Sequence, residues 1–189
     1  MKRIIGLLVL VMIFMVNPAI AADNDPAGID PAKGEFVNGK YTNKSPAFTM
    51  QFPDGWETDK KEGNEVFRIV GLHPYKIPVV ALDMLDKGAN APELGSDAAV
   101  AAYLAHMKKN QPKSTNHKVE KKGIVELQGG IKAMNLIIRW NLNPMVEVFS
   151  SVLQVYKGDK IITLNATTVE AEGTTADELT AILKTLEFK

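Results

Sequence analysis

Apolar and polar side chains alternate along residues 47–52, and the apolar positions are Phe48, Met50 and Phe52. This period of two predicts a strand with one buried face. The next three residues, Pro53-Asp54-Gly55, have the composition of a tight turn, and a tryptophan follows them. We expect the turn to aim Trp56 at the edge of the core that the strand covers. The alternative is an exposed tryptophan that anchors a binding partner.

Two segments have the 3.6-residue period of amphipathic helices. The first helix is expected over residues 96–110 with Ser96 as its N-cap, and Pro112 lies just past its end. The second begins with Thr175 and Glu178, which have the spacing of a capping box. The expected apolar stripes are Val100, Tyr103, Leu104 and Met107 in the first helix, and Leu179, Ile182, Leu183 and Leu186 in the second.

The remaining apolar segments read as strands. Residues 66–72 predict one strand, and residues 78–85 predict another whose two alternating sets are both apolar, as expected for a strand covered on both faces. Residues 117–169 predict a four-strand meander with three tight connections. These are a two-residue loop at Gly129-Gly130, a three-residue loop at 142–144 and a two-residue loop at Gly158-Asp159.

Loop length sets the strand register of the meander. With a two-residue loop at Gly158-Asp159, the residue numbers of each opposed pair on the two flanking strands add up to 317, and we call this the 317 register. A three-residue loop at 142–144 gives a sum of 286 and sets Arg139 opposite Glu147. Both faces of the meander are then largely apolar and need a cover. With two helices available, we predict an α+β fold, an antiparallel sheet covered by helices on both faces in an α/β/α sandwich.

The ends and the composition place the protein in a cellular setting. Lys2 and Arg3, an apolar run to Val16 and the small-residue site Ala19-Ile20-Ala21 predict a signal peptide over residues 1–21. Residues 22–40 read as a flexible leader, and residues 41–189 as a single domain. Cleavage would leave 20 basic side chains against 22 acidic ones, a balance that argues against nucleic acid as a partner. We therefore expect a periplasmic or secreted bacterial protein without disulfides, because the chain has no cysteine.

The stretch from Phe48 to Trp56 has the form F-x-x-x-F-P-x-G-W, and it resembles the opening hairpin of PsbP-like, DcrB-like and Mog-type domains. The order of elements over residues 41–189 is similar too. The resemblance implies an α/β/α sandwich around an antiparallel sheet. It implies accessory or binding roles and no shared catalytic residue, so an activity does not follow from it.

The candidate chemistry is sparse. The three histidines, His73, His106 and His117, show no metal-ligand spacing, and His106 is expected to face solvent. The sequence contains no nucleophile-elbow motif and no phosphate-binding loop, so we expect neither a catalytic residue nor a metal or cofactor. Asp83 interrupts an apolar strand, either as a functional buried carboxylate or as a strand-end aspartate paired with a lysine, an arginine or a backbone N–H.

The 317 register also predicts a binding site. It aligns Gln154, Thr163, Asn165 and Thr167 as a polar stripe on the sheet face that carries Trp140 and Ile138. We expect this stripe to line a groove that suits a polar or peptide-like partner of a non-catalytic envelope protein. The alternative is a periplasmic hydrolase, which a close cluster of Asp83 with a histidine in a deep pocket would favour.

Overall fold

The computed structural model describes residues 33–62, 65–71, 78–169 and 175–189. The predicted signal peptide and His73 therefore lie outside the described residues. These residues form two helices, α1 (Asp97–Asn110) and α2 (Ala176–Leu183), and both begin at the predicted caps, Ser96 and Thr175. In α2 both hydrogen bonds of the capping box with Glu178 form. Neither helix in this part of the chain is long and apolar enough to cross a membrane.

Eleven strands form two antiparallel sheets in the described residues. The small sheet has the order β1 (Gly34–Val37), β2 (Lys40–Lys44), β3 (Ala47–Gln51), β11 (Glu187–Phe188). The large sheet has the order β4 (Glu57–Thr58), β5 (Phe67–Val70), β6 (Val79–Asp86), β10 (Lys160–Val169), β9 (Val146–Lys157), β8 (Ile131–Asn143), β7 (Thr115–Leu127). The strand β1 lies within residues 22–40, which were expected to form a flexible leader.

The predicted register between β9 and β10 is confirmed. Lys157 lies opposite Lys160 across the Gly158-Asp159 turn, and Gln154 lies opposite Thr163. The register predicted between β8 and β9 is wrong, because Arg139 lies opposite Phe149 and not opposite Glu147. Its guanidinium still reaches the Glu147 carboxylate, diagonally, at 3.1 Å.

The turn between β7 and β8 also differs from the prediction. It has three residues, 128–130, because Leu127 pairs with Ile131. Both Gly129 and Gly130 have positive φ, at 80° and 74°, which glycine adopts without a steric penalty.

The α/β/α sandwich is wrong as a description of this fold. The described part of the chain is mostly β, with two antiparallel sheets and two short helices of 14 and 8 residues. One face of the large sheet packs into a core that the small sheet and α2 close together. The fully buried members of this core include Tyr41, Phe48 and Met50 from the small sheet, Leu179 and Leu183 from α2, and Leu153, Ile162 and Leu164 from the large sheet. A second sheet therefore supplies much of the cover that was expected from a helix.

A second core lies on the opposite face of β8 and β9, where α1 packs. Ala99, Tyr103 and Met107 of α1 are buried there against the large sheet. The sheet residues of this core are Met134, Leu136, Ile138, Trp140, Val148 and Val152. Of the helices that the structure describes, α1 covers this face over β8 and β9, while Val79 and Ala81 of β6 stay only half-buried.

The expectation for the opening stretch holds. Phe48 and Met50 are fully buried, and Gly55 takes the positive φ (84°) that its turn requires. Trp56 is half-buried and packs at the edge of the core, with its ring centroid 5.6 Å from that of Phe52.

Candidate functional site

The four residues of the predicted stripe share the α1 side of the sheet, but their burial differs. Gln154 and Thr163 are buried, with 7% and 5% of their surface exposed, and the Gln154 Nε2 donates to Thr163 Oγ1 at 3.1 Å. Asn165 and Thr167 are only half-buried. The stripe therefore begins beneath the edge of α1 and emerges along β10.

Hydrogen bonds tie the emerging half of the stripe together. Thr167 Oγ1 lies 2.8 Å from Ser150 Oγ, which in turn accepts from Trp140 Nε1 at 3.0 Å. Thr167 also donates to Asn165 Oδ1 at 3.2 Å. These side chains form a pre-organised polar surface, because packing and mutual bonds hold them in place.

The neighbouring strand β6 completes the floor of a groove. Ala81 lies opposite Asn165 and Val79 opposite Thr167, and both are half-buried. The expectation that β6 is covered on both faces is therefore wrong, since Val80 and Leu82 are fully buried and the alternate set is not. We call the surface formed by Val79, Ala81, Asn165 and Thr167 the β6–β10 groove.

A small cavity lies at the buried end of the stripe, between α1 and the ends of β6, β9 and β10. It has a volume of about 90 Å³. Its polar lining residues are Tyr103, His106, Gln154, Tyr156 and Thr163, and its apolar ones are Leu85, Pro92, Ala99, Ala102 and Ile161. Burial, followed by the charge of Asp83, raises the pKa of Tyr103, so its phenol stays protonated.

Asp83 and His106 approach each other beside this cavity. The distance between Asp83 Oδ2 and His106 Nε2 is 3.8 Å, and about 26% and 30% of the two side chains are exposed. His106 Nε2 also lies 2.9 Å from Asn110 Nδ2. The expectation that His106 faces solvent is thus wrong in part, because the helix turns it toward β6. The partner that Asp83 meets here is a histidine and not the lysine or arginine of the structural interpretation, and the cavity beside the pair is small rather than the deep pocket of the hydrolase alternative.

The histidines of the described chain do not converge. His117 stacks on Trp140, with ring centroids 6.1 Å apart, and its Nε2 lies 3.0 Å from Ser114 Oγ. Burial and, second, the charge of Lys108 lower the pKa of His117, which favours a neutral packed ring. Within residues 33–62, 65–71, 78–169 and 175–189, no group of three or more histidine, aspartate or glutamate side chains is arranged to hold a metal.

A larger cleft of about 450 Å³, which the sequence did not predict, lies between α2 and β7. Its lining residues are Lys121, Gly123, Ile124, Val125, Asn135, Asp177, Thr180, Ala181 and Lys184. The buried polar groups here are already engaged, since Asn135 donates to the Val152 carbonyl at 3.1 Å and Thr180 bonds to Ser151 at 2.7 Å. In the sequence, only Gly123 points to this cleft. It lies in a strand next to the apolar Ile124 and has no side chain to fill the space, which is a weak indication.

Comparisons with known proteins find similarity in structure and not in sequence. No family model matches the chain, and no curated protein sequence matches it. The solution structure of cyanobacterial PsbP (CyanoP) from Synechocystis sp. PCC 6803 aligns with a TM-score of 0.59 and 13% identity, over 86% of this chain and 96% of that one. A crystal structure from Bacteroides thetaiotaomicron aligns with a TM-score of 0.51 and 15% identity, over 81% of this chain and 49% of that one.

A third structure, LpqN of Mycobacterium tuberculosis, is described as involved in cell envelope biogenesis. It aligns at a TM-score of 0.49 and 15% identity, over 72% of this chain and 79% of that one, which is too low to support an argument. At such identities the first two alignments speak for the fold alone. The resemblance expected from the Phe48–Trp56 stretch is confirmed at that level: the chain folds as a PsbP-type domain.

Proposed function

We propose that the protein is an exported, non-catalytic accessory protein of the bacterial cell envelope, which binds a polar, peptide-like partner along the β6–β10 groove. The observation that carries this proposal is the change in burial along the polar stripe. Gln154 and Thr163 lie beneath α1, whereas Asn165 and Thr167 emerge beside it with their side chains already held in place.

The lining of the groove suits a partner with backbone-like hydrogen-bonding groups. Asn165 and Thr167 offer an amide and a hydroxyl, and Ala81 and Val79 leave room between them. On β5, the residue opposite Ala81 is Arg68, whose guanidinium bonds to Glu65 at 2.9 and 2.7 Å and pairs with Glu62 at 2.9 Å. Because that charge is compensated, the groove favours an uncharged segment over an acidic one.

Export rests on the amino-terminal pattern of the sequence, a basic start, an apolar run and a small-residue cleavage site. The lack of cysteine and the near-neutral charge fit an accessory role in the periplasm or outside the cell. The PsbP-type fold is compatible with a binding role but by itself names neither a function nor a partner.

The test is site-specific photocrosslinking in the source bacterium. A photoreactive phenylalanine derivative at position 165 is expected to form a covalent adduct with a partner in the envelope fraction. The matched control is position 42, a half-buried strand residue of the small sheet. Asn165→Lys in the unlabelled chain should compete poorly for the adduct, and Thr42→Lys should compete normally. Equal crosslinking at positions 165 and 42, or none at either, would contradict the proposal.

The second candidate function is a hydrolase-type enzyme, and the approach of Asp83 to His106 beside a cavity is the observation that favours it. The cavity of about 90 Å³ is far below the roughly 300–1,000 Å³ of typical ligand sites. A panel of chromogenic ester, phosphate and glycoside substrates tests this function. Turnover that His106→Ala abolishes, in a variant that unfolds at the wild-type midpoint, would replace the binding proposal.

A further inference from the structure

One end of the large sheet carries an apolar tip. The hairpin between β8 and β9 turns at Pro144 and Met145, and both side chains are exposed. With 74% of its surface exposed, Met145 is the most exposed large hydrophobic residue of the described chain. The turn is held in place, because Asn143 Oδ1 accepts from the Met145 N–H at 2.9 Å and proline fixes its own φ. The fold therefore presents a bulky apolar side chain to the solvent from a fixed point of the backbone.

A lysine-rich segment begins beside this hairpin. Residues 108–122 contain six lysines and a single acidic residue. Thr115 lies opposite Asn141 of β8, and Asn116 Nδ2 donates to the Asn141 side chain at 2.9 Å. Because β7 runs antiparallel to β8, the residues just before Thr115 lie on the side of the hairpin turn. Lys113 is two residues before Thr115, so it lies near the tip.

The last turn of α1 lies at the same end of the sheet. Met107 is buried in the core against which Leu142 and Val146, the residues that flank the tip, also pack. The next two residues, Lys108 and Lys109, are the basic residues of that last turn. We give the name basic tip to the set Lys108, Lys109, Lys113, Pro144 and Met145.

The positive charge of the basic tip is not compensated within the described chain. Its three lysines are exposed, and none of them forms an ion pair with a described residue. The carboxylates nearby are already paired, since Arg139 lies 2.9 Å from Glu120 and 3.1 Å from Glu147. The dipole of α1 favours cations at its C-terminus, but Lys113 lies beyond the helix.

An apolar side chain beside uncompensated cations suits the surface of an anionic bilayer. There the apolar group enters between the headgroups while the ammonium groups stay at the level of the phosphates. A nucleic acid or an acidic protein would use the lysines but would give Met145 no role. The near-neutral charge of the whole chain does not oppose such binding, because charges more than about 8 Å away are largely screened at physiological salt.

We infer that the basic tip docks the protein on a bilayer with anionic headgroups, with Met145 inserted at the interface and the three lysines against the headgroup phosphates. This peripheral contact goes beyond the proposed function. The basic tip shares no residue with the β6–β10 groove, so the two proposals are tested separately.

Co-flotation of the purified protein with lipid vesicles measures this docking. The protein should float with vesicles of equal parts phosphatidylcholine and phosphatidylglycerol, and it should not float with phosphatidylcholine alone. Salt at about 1 M, which shortens the Debye length to about 3 Å, should release it. Equal flotation with both kinds of vesicle, or with neither, would overturn the inference.

Two triple variants separate the basic tip from a general effect of charge. Each lysine near an anionic surface contributes about fivefold to binding, so replacing all three should weaken it about a hundredfold. The variant of the basic tip is Lys108→Gln/Lys109→Gln/Lys113→Gln. The matched control removes the same charge from exposed positions of β2, β8 and the end of α2, and it should bind nearly as the wild type does. It is Lys40→Gln/Lys132→Gln/Lys184→Gln. Equal losses in the two variants would contradict a specific surface.

A fluorescent label tests whether the tip enters the bilayer. Because the chain has no cysteine, Met145→Cys can be labelled uniquely with an environment-sensitive dye. Its emission should shift to shorter wavelength on the anionic vesicles. Gln128→Cys is the control, since it lies in the turn at the other end of β8, roughly 40 Å away by the length of the strand. If the dye at position 145 stays in water while the lysine variant loses binding, the lysines meet a polyanionic surface without insertion, and the inference is wrong.

Discussion

The substitutions Thr163→Val and Asn165→Ala probe the two halves of the polar stripe, and they should affect stability very differently. Thr163 is buried and accepts from the side chain of Gln154, which is itself 7% exposed. Valine keeps the shape of threonine but removes the acceptor. The Gln154 N–H₂ then loses this partner in a buried place, which costs about 1–3 kcal/mol.

Asn165→Ala should cost far less. Asn165 is half-buried, and its Oδ1 accepts a 3.2 Å bond from Thr167. After the substitution Thr167 still bonds to Ser150 at 2.8 Å, so its hydroxyl is not stranded. The change in the free energy of unfolding should therefore lie within the roughly 0.5 kcal/mol that is usual for surface positions.

Equilibrium unfolding in urea measures both effects. With a denaturant dependence of about 2 kcal/mol per molar urea, a loss of about 2 kcal/mol lowers the midpoint by about 1 M. We expect such a decrease for Thr163→Val and almost none for Asn165→Ala. A double variant, Thr163→Val with Gln154→Met, should recover much of the loss, because removing both partners leaves nothing unsatisfied.

This prediction is refuted if Asn165→Ala lowers the urea midpoint as much as Thr163→Val does. Asn165 would then be an interior residue, and the β6–β10 groove would be part of the packed core rather than a docking surface. It also fails if the double variant is less stable than Thr163→Val alone, because the hydrogen bond would then not account for the loss.

Three further predictions concern other parts of the fold. Trp56→Ala should cost up to about 3 kcal/mol in urea unfolding, at the lower limit for large aromatic residues because the ring is only half-buried against Phe52; an unchanged midpoint would identify it as a surface residue. Thr168→Val removes a hydroxyl that is buried without a partner, so it should leave stability unchanged or raise it by up to about 1–3 kcal/mol, and a lower melting temperature would contradict this. The backbone hydrogen bond from Thr175 lowers the pKa of Glu178, so this residue stabilises the fold above the pKa of the unfolded chain and loses that effect as pH falls through the folded value. Glu178→Gln should therefore reduce the loss of unfolding free energy as the pH falls through the acid range. If the pH dependence of the variant equals that of the wild type, Glu178 does not have this role.

The strand register could be predicted where the residues of the turn identify its type and length by themselves. Gly158-Asp159 forms the two-residue turn expected from its composition, and the predicted stripe follows from it. The turn after β8 was misjudged because Asn143 pairs with Val146 and its side chain accepts from the Met145 N–H at 2.9 Å. This local bond shortens the loop, and the alternation of apolar residues does not reveal it.

The layers were harder to predict, because a pattern shows that a face needs a cover without showing what covers it. The dipeptide Asn38-Gly39 is a strong hairpin signal, and both residues have positive φ, 49° and 72°. It lies in a segment whose glycines and prolines suggested a leader. The two-residue strand Glu187–Phe188 is too short for any periodicity, so the small sheet was not recognisable as a sheet. The burial of Tyr103 was predicted, but the cavity beside it depends on tertiary packing.

The small sheet joins segments that lie far apart along the chain. Phe188 pairs with Phe48, and the N–H of Gln51 donates to Thr185 Oγ1, a residue 134 positions later. Translation proceeds from the amino terminus, so β1 to β3 are synthesised long before the strand that completes their sheet. Until residues 185–188 arrive, β3 has an open edge and the core beneath it lacks α2. Completion of the small sheet therefore waits for residues 185–188, and pairing between segments so far apart in sequence slows folding because the long loop between them must close first.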